Sequence, residues 1–77
     1  MQEMLEYIIK GLVSNPDAVE IALENQGKTK VFKVFVEKKD IGAVIGRGGM
    51  IADAIRTVVR STSENKERVV IKFNEKE

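Results

Sequence analysis

Residues 46–49 read Gly-Arg-Gly-Gly, three glycines around one arginine, set between two apolar stretches. Glycine has no Cβ, so the backbone of another molecule can approach the main chain and meet exposed amides. Arginine adds a planar fork of donors that matches phosphate oxygens. The chemistry open to these residues is anion binding, phosphate above all. A second reading uses the same glycines without a ligand: a tight corner between two helices that needs positive φ, with Arg47 as a solvated loop charge.

Known phosphate-binding spacings narrow the first reading. A P-loop needs G-x-x-x-x-G-K-[ST]; Gly42 to Gly46 has the wrong spacing, and no Lys-Ser or Lys-Thr follows. A dinucleotide-binding turn needs G-x-G-x-x-G directly after a strand; Gly46 and Gly48 fit, but Ile51 stands in the third glycine position after a segment that reads as helical. Both nucleotide-cofactor readings fail, and no cofactor is implied.

Composition bounds the rest. The chain has 77 residues, 43% of them apolar, and no Cys, His or Trp. Disulfide frameworks, thiolate nucleophiles, imidazole acid–base work and the common zinc sites are thereby excluded, while carboxylate sites for hard metals stay formally open. A domain this small buries only about 60% of its unfolded surface, enough for one modest core and not for a deep enzyme pocket. Scattered Asp and Glu in no motif context read as surface, so a non-enzymatic domain is expected. The net charge of +1 conceals an asymmetry: residues 1–27 carry −4, residues 28–60 carry +5, and the rest balance. A basic middle around the glycines can face a polyanion without a high overall charge, or the charges can simply interleave once folded. Acidic residues near the start and the lack of an apolar run of about 18 residues predict neither secretory leader nor membrane span, hence a cytoplasmic protein.

The elements that must position the corner follow from periodicity. Leu5, Ile8, Ile9 and Leu12 predict an amphipathic helix over about 2–14, stopped by Asn15-Pro16. Val19, Ile21 and Leu23 alternate as in a strand, Asn25 to Lys28 reads as a turn, and Lys30 to Glu37 predicts a second strand with Phe32, Val34 and Val36 on one face. Asp40 is placed to cap a short helix over Ile41 to Ile45, and a longer helix follows from about Met50 to Ser61. A polar loop over 62–67 and a third strand over 68–73 complete the order αββααβ. The expected fold class is α+β, a three-stranded sheet with three helices packed on one face and the other face solvated.

Residues 44–49, Val-Ile-Gly-Arg-Gly-Gly, resemble the I-G-x-x-G loop of K-homology (KH) domains. In that family a G-x-x-G turn between two helices clamps the backbone of about four single-stranded nucleotides. The order αββααβ is similar to the type II KH arrangement, in which a helix and strand precede the β-α-α-β core. Asp40 to Arg60, with the run Asp-Ile-Gly-Ala-Val-Ile-Gly-Arg-Gly-Gly-Met-Ile-Ala-Asp-Ala-Ile-Arg, resembles the small bacterial single-KH proteins of the KhpA (YlqC) family. The resemblance spans nearly the whole chain and implies one KH domain over 1–77, with its core at about 29–74 and the extension at about 2–26. One departure is Ala52, where the broader pattern often has Ile; Ile51 and Ile55 are expected to supply the core instead.

The resemblance implies a single-stranded RNA groove between the short helix with its loop and the second strand, with the 62–67 loop as the opposite rim. Gly46, Arg47, Gly48 and Gly49 would meet phosphate, and Ile41, Val44 and Ile45 would floor the groove. Lys38, Lys39, Arg56 and Arg60 are candidate phosphate contacts or ordinary solvated charges. No residue is committed to a ribose 2′-hydroxyl, so single-stranded DNA stays open, and no aromatic interleaves the basic residues as in an aromatic stacking platform. Apolar residues on the long helix span an arc wider than one sheet face needs, which predicts a pairing surface at Ala52, Ile55, Val58 and Val59. The resemblance implies a homodimer, or a heterodimer with a larger KhpB/Jag-type KH protein, in RNA chaperoning and cell-shape control. The alternative is a dimerisation module with a weak or vestigial groove.

Overall fold

A computed structural model of the chain describes residues 2–62 and 68–76. Helix α1 spans Gln2–Leu12 and is followed by a 3-10 turn at Pro16–Ala18. Strands β1 (Glu20–Gln26) and β2 (Thr29–Val36) form a hairpin, and a second 3-10 turn, Lys38–Asp40, leads into α2 (Ile41–Ile45). A third 3-10 turn, Arg47–Gly49, separates α2 from α3 (Met50–Ser61), and β3 spans Arg68–Glu75. The domain is α+β, as its periodicities predict.

The hairpin closes at the Gln26–Thr29 pair, so its loop is Gly27-Lys28, shorter than the expected four-residue turn. Gly27 takes φ +63° while no described residue other than glycine has positive φ, the pattern of a type II′ turn. β1 runs antiparallel to β2, and β3 runs parallel to β2 on its other side, giving the order β1-β2-β3. The parallel pair follows from the α2–α3 crossover, which returns the chain to the end of the sheet where β2 begins.

All three helices contribute to a core on one sheet face, where Leu5, Ile9, Val44, Ile55 and Val59 meet Phe32, Val34, Val36, Val69 and Ile71. Phe32 is the largest of the fully buried side chains, a burial worth roughly 1.5–3 kcal/mol. Ile55 is buried and Ile51 packs against the same core, so these residues compensate for the small Ala52. The expected alternation in β1 is only partly used: Ile21 is half-buried, whereas Leu23 is exposed on the edge strand. The opposite sheet face carries Ala22, Lys33 and Lys72 in one register row, with Val31 buried in the next. Salt bridges join Glu24 to Lys33 (2.7 Å) and Glu20 to Lys76 (3.2 Å), so part of the acidic opening interleaves with later basic residues.

Candidate nucleic-acid interface

The glycine corner is an interrupted helix pair. Gly46 leaves α2 at φ +75°, ψ 175°, and Gly48 and Gly49 follow at φ +64° and +81°. An extended backbone at positive φ is almost exclusively glycine's, whereas the left-handed region at Gly48 and Gly49 admits other residues at a penalty. A Cβ on Gly46 would also lie 2.6 Å from Ile51 Cγ1, so this glycine is demanded by packing as well. Around Gly48 and Gly49 there is open space, into which another molecule's backbone can come close. The Gly46, Gly49 and Met50 N–H groups donate to Gly42, Gly46 and Arg47 carbonyls. Those bonds leave over the Arg47 and Gly48 amides at the outer turn. Arg47 is exposed and, among the described residues, makes no ion pair.

The seat of α2 is fixed from a distance. Asp40 stands in the N-cap position, yet it makes no side-chain cap hydrogen bond to α2. Its carboxylate turns across the domain instead, accepting the Ser14 N–H (2.9 Å), the Ser14 hydroxyl (2.8 Å) and the Asn15 N–H (3.3 Å). The Ser14 backbone N–H is the largest cause holding the Asp40 carboxyl below its usual value. Burial opposes it, and the Ser14 hydroxyl, the Asn15 N–H and the Lys39 charge add to the lowering. Asn15 Nδ2 also donates to Glu37 Oε1. The Ser14-Asn15 segment, which reads in sequence only as a helix stop, thus ties the end of α1 to the start of α2.

Several expectations are corrected by position. β2 is the central strand with both edges paired, so it cannot wall an open groove; α2 packs beside β3, whose outer edge borders the site. Strand order is a property of long-range pairing, which the local pattern does not carry. Val44 is fully buried in the core and cannot floor the groove for a ligand, leaving the half-buried Ile41 and Ile45 for that role. Lys38 lines a hollow at the sheet end with Ala18, Glu37 and Lys76, in company with no glycine-loop residue. Lys39 is exposed one residue before Asp40. Of the expected opposite rim, residues 63–67 lie outside the described residues.

Arg56 and Arg60 lie along the flank of α3 that meets β3. Arg56 donates from Nε and Nη2 to the Ile71 carbonyl and from Nη1 to Asp53, and Arg60 Nε donates to the Val69 carbonyl. Both therefore bridge α3 to the β3 edge, a structural use of donors expected to meet either phosphate or solvent. The guanidinium of Arg56 sits 5.4 Å from the centroid of Phe73, a half-buried ring not anticipated at the site.

The expected pairing surface is also corrected. Ala52, Ile55 and Val59 have at most 4% exposure, because the sheet-facing stripe of α3 contains them; only Val58 of the four is exposed. The open apolar surface is a hollow of about 530 Å³ between α1 and α3, bordered by Ile55 and Val58 of the expected four together with Ile8, Leu12, Met50, Ile51 and Ala54. Met50 is 72% exposed there. Helical periodicity reveals the width of an apolar arc and not which part of it the sheet covers.

No group of three or more Asp and Glu among the described residues is placed to hold a metal ion, and no described helix is long and apolar enough to cross a membrane. The family model for KhpA/KhpB KH domains matches residues 2–74. The chain is 48% identical over 59 residues to the RNA-binding protein KhpA of Streptomyces coelicolor, covering 77% of this chain and 75% of that protein. It is 40% identical over 74 residues to the RNA-binding protein KhpA of Caldanaerobacter subterraneus subsp. tengcongensis, covering 95% and 99% of the two. Identity to the RNA-binding protein KhpA of Listeria monocytogenes is 38% over 70 residues, covering 91% and 92%. These names are those of binding proteins and not of enzymes, in keeping with the expected non-enzymatic domain. No solved structure matches the chain at a significant level. With similarity that runs from the first helix into the third strand, the chain belongs to the family of KhpA/KhpB KH domains.

Proposed function

We propose that the domain binds single-stranded RNA in the groove bounded by α2, the 46–49 corner, the start of α3 and the outer edge of β3. The observation that carries this reading is the open space at Gly48 and Gly49 beside an exposed Arg47 that makes no ion pair among the described residues. A sugar-phosphate backbone can lie there against the main chain, with the guanidinium fork and the Arg47 and Gly48 amides as donors. Ile41 and Ile45 offer apolar surface to bases. The names of the relatives as RNA-binding proteins support the choice of RNA over DNA. Few phosphate contacts and a net charge of +1 imply a shallow salt dependence.

The wider role in the same proposal is that of a cytoplasmic RNA chaperone or regulator, acting as a homodimer or beside a larger KhpB/Jag-type KH protein. A site for about four nucleotides binds weakly, and joining two sites raises avidity. The alternative, a dimerisation module with a weak groove, is favoured by the apolar hollow between α1 and α3.

Titration of a short single-stranded RNA into the protein and into the Arg47→Asp/Gly48→Asp variant tests the proposal. Asp tolerates the left-handed conformation at position 48 and meets no neighbour there, so the variant folds. The RNA reading predicts at least tenfold weaker binding by the variant, from two added negative charges and one lost positive charge. Equal affinity in the two proteins rejects it in favour of the dimerisation module.

A further inference from the structure

Three of the five N–H donors of Arg56 are engaged inside the protein. Nε and Nη2 both reach the Ile71 carbonyl at 3.3 Å, Nη1 reaches Asp53 Oδ1 at 3.1 Å, and the guanidinium carbon lies 5.4 Å from the Phe73 ring centroid. Contacts on three sides hold the guanidinium plane in place. A lysine could supply the charge at this position, but not this planar, locked arrangement. The Arg56 side chain nevertheless remains 31% exposed, in the span between α3 and the β3 edge. Planar guanidinium is weakly hydrated and stacks on π-systems, and nucleobases in single strands stack on arginine planes as they do on aromatic rings.

We infer that Arg56, backed by Phe73 and locked by Ile71 and Asp53, is a stacking platform for one nucleobase of the bound strand. The platform recognises a base face, not a phosphate. It orders one base against the β3 edge before any base-edge hydrogen bond forms. The inference rests on the proposed RNA groove. It separates Arg56, which reads a base, from Arg47, which meets the backbone.

The test uses fluorescently labelled single-stranded RNA pentamers, intact or with one abasic residue stepped through each position, titrated into the wild type, Arg56→Lys and Phe73→Leu. Stacking predicts that Arg56→Lys binds the intact pentamer about tenfold more weakly, with an unchanged salt slope. It also predicts that one abasic position weakens wild-type binding about tenfold and leaves Arg56→Lys binding unaltered, with Phe73→Leu intermediate. Thermal unfolding shows whether each variant folds; the abasic comparison within one protein is independent of stability. Wild-type affinity in Arg56→Lys overturns the inference, as does an abasic penalty that persists at every position in that variant. Failure of the wild type to bind any pentamer overturns the RNA reading itself, a distinct outcome.

Discussion

Gly46→Ala is the sharpest structural perturbation of the glycine corner, because two independent costs fall on one methyl group. The backbone at φ +75°, ψ 175° lies in a region that is essentially glycine's alone, a strain of about 1–3 kcal/mol. The new Cβ would meet Ile51 Cγ1 at 2.6 Å and Ile51 Cβ at 2.9 Å, and overpacking of that kind adds about 1–3 kcal/mol. Together these give a loss of roughly 2–6 kcal/mol. A domain of 77 residues has roughly 4–12 kcal/mol to lose, so much of its stability goes. Gly49→Ala provides the control: its φ of +81° and ψ of 11° are left-handed and nothing stands within 4 Å of the added carbon. Its loss is about 1–2 kcal/mol from backbone strain alone. Urea unfolding followed by circular dichroism measures both, with each kcal/mol also read as a fall of about 4–8 °C in Tm. Equal losses in the two variants, or a Gly46→Ala loss below about 0.5 kcal/mol, refute the claim that packing on Ile51 fixes position 46.

Two further predictions concern the supports of the site. Because the folded Asp40 carboxyl is held below its ordinary value, the stability it contributes is fully present above about pH 4–5 and is lost as pH falls through the lowered value. Urea midpoints measured from pH 6 to pH 2 should show Asp40→Asn falling less steeply than the wild type, and parallel acid limbs contradict the Ser14–Asp40 lock. Met50→Lys combined with Val58→Glu alters exposed positions only, so it should leave thermal stability within about 0.5 kcal/mol while turning any dimer seen by light scattering into monomer; an unchanged dimer places the interface elsewhere.

The parts of the fold legible in sequence are those governed by local periodicity. The alternation Phe32, Val34, Val36 identifies the buried face of β2, and the apolar spacing after Gly49 identifies α3 with its observed bounds. What escapes is set by contacts between distant segments. Asp40 looks like a cap from its place before Ile41, but Ser14, 26 residues away, offers it two better donors. Ala52, Ile55 and Val59 look available for a partner until the sheet and α1 claim them. β2 looks like the groove wall until β3 pairs along its second edge. Within the site, the residues with a backbone signature, Gly46, Gly48 and Gly49, are legible because positive φ restricts residue type. Arg56 and Phe73 carry no such signature, since their meeting depends on where α3 crosses the β3 edge.

Amide chemical-shift mapping of the isotopically labelled protein with a short single-stranded RNA tests the proposed groove most directly. The account predicts saturable shifts at residues 46–50, Arg56 and the β3 stretch from Val69 to Phe73, with little change at Tyr7, Leu12 and Val58. Shifts centred on the α1–α3 hollow or on the outer sheet row of Ala22, Lys33 and Lys72, with the glycine corner silent, contradict it.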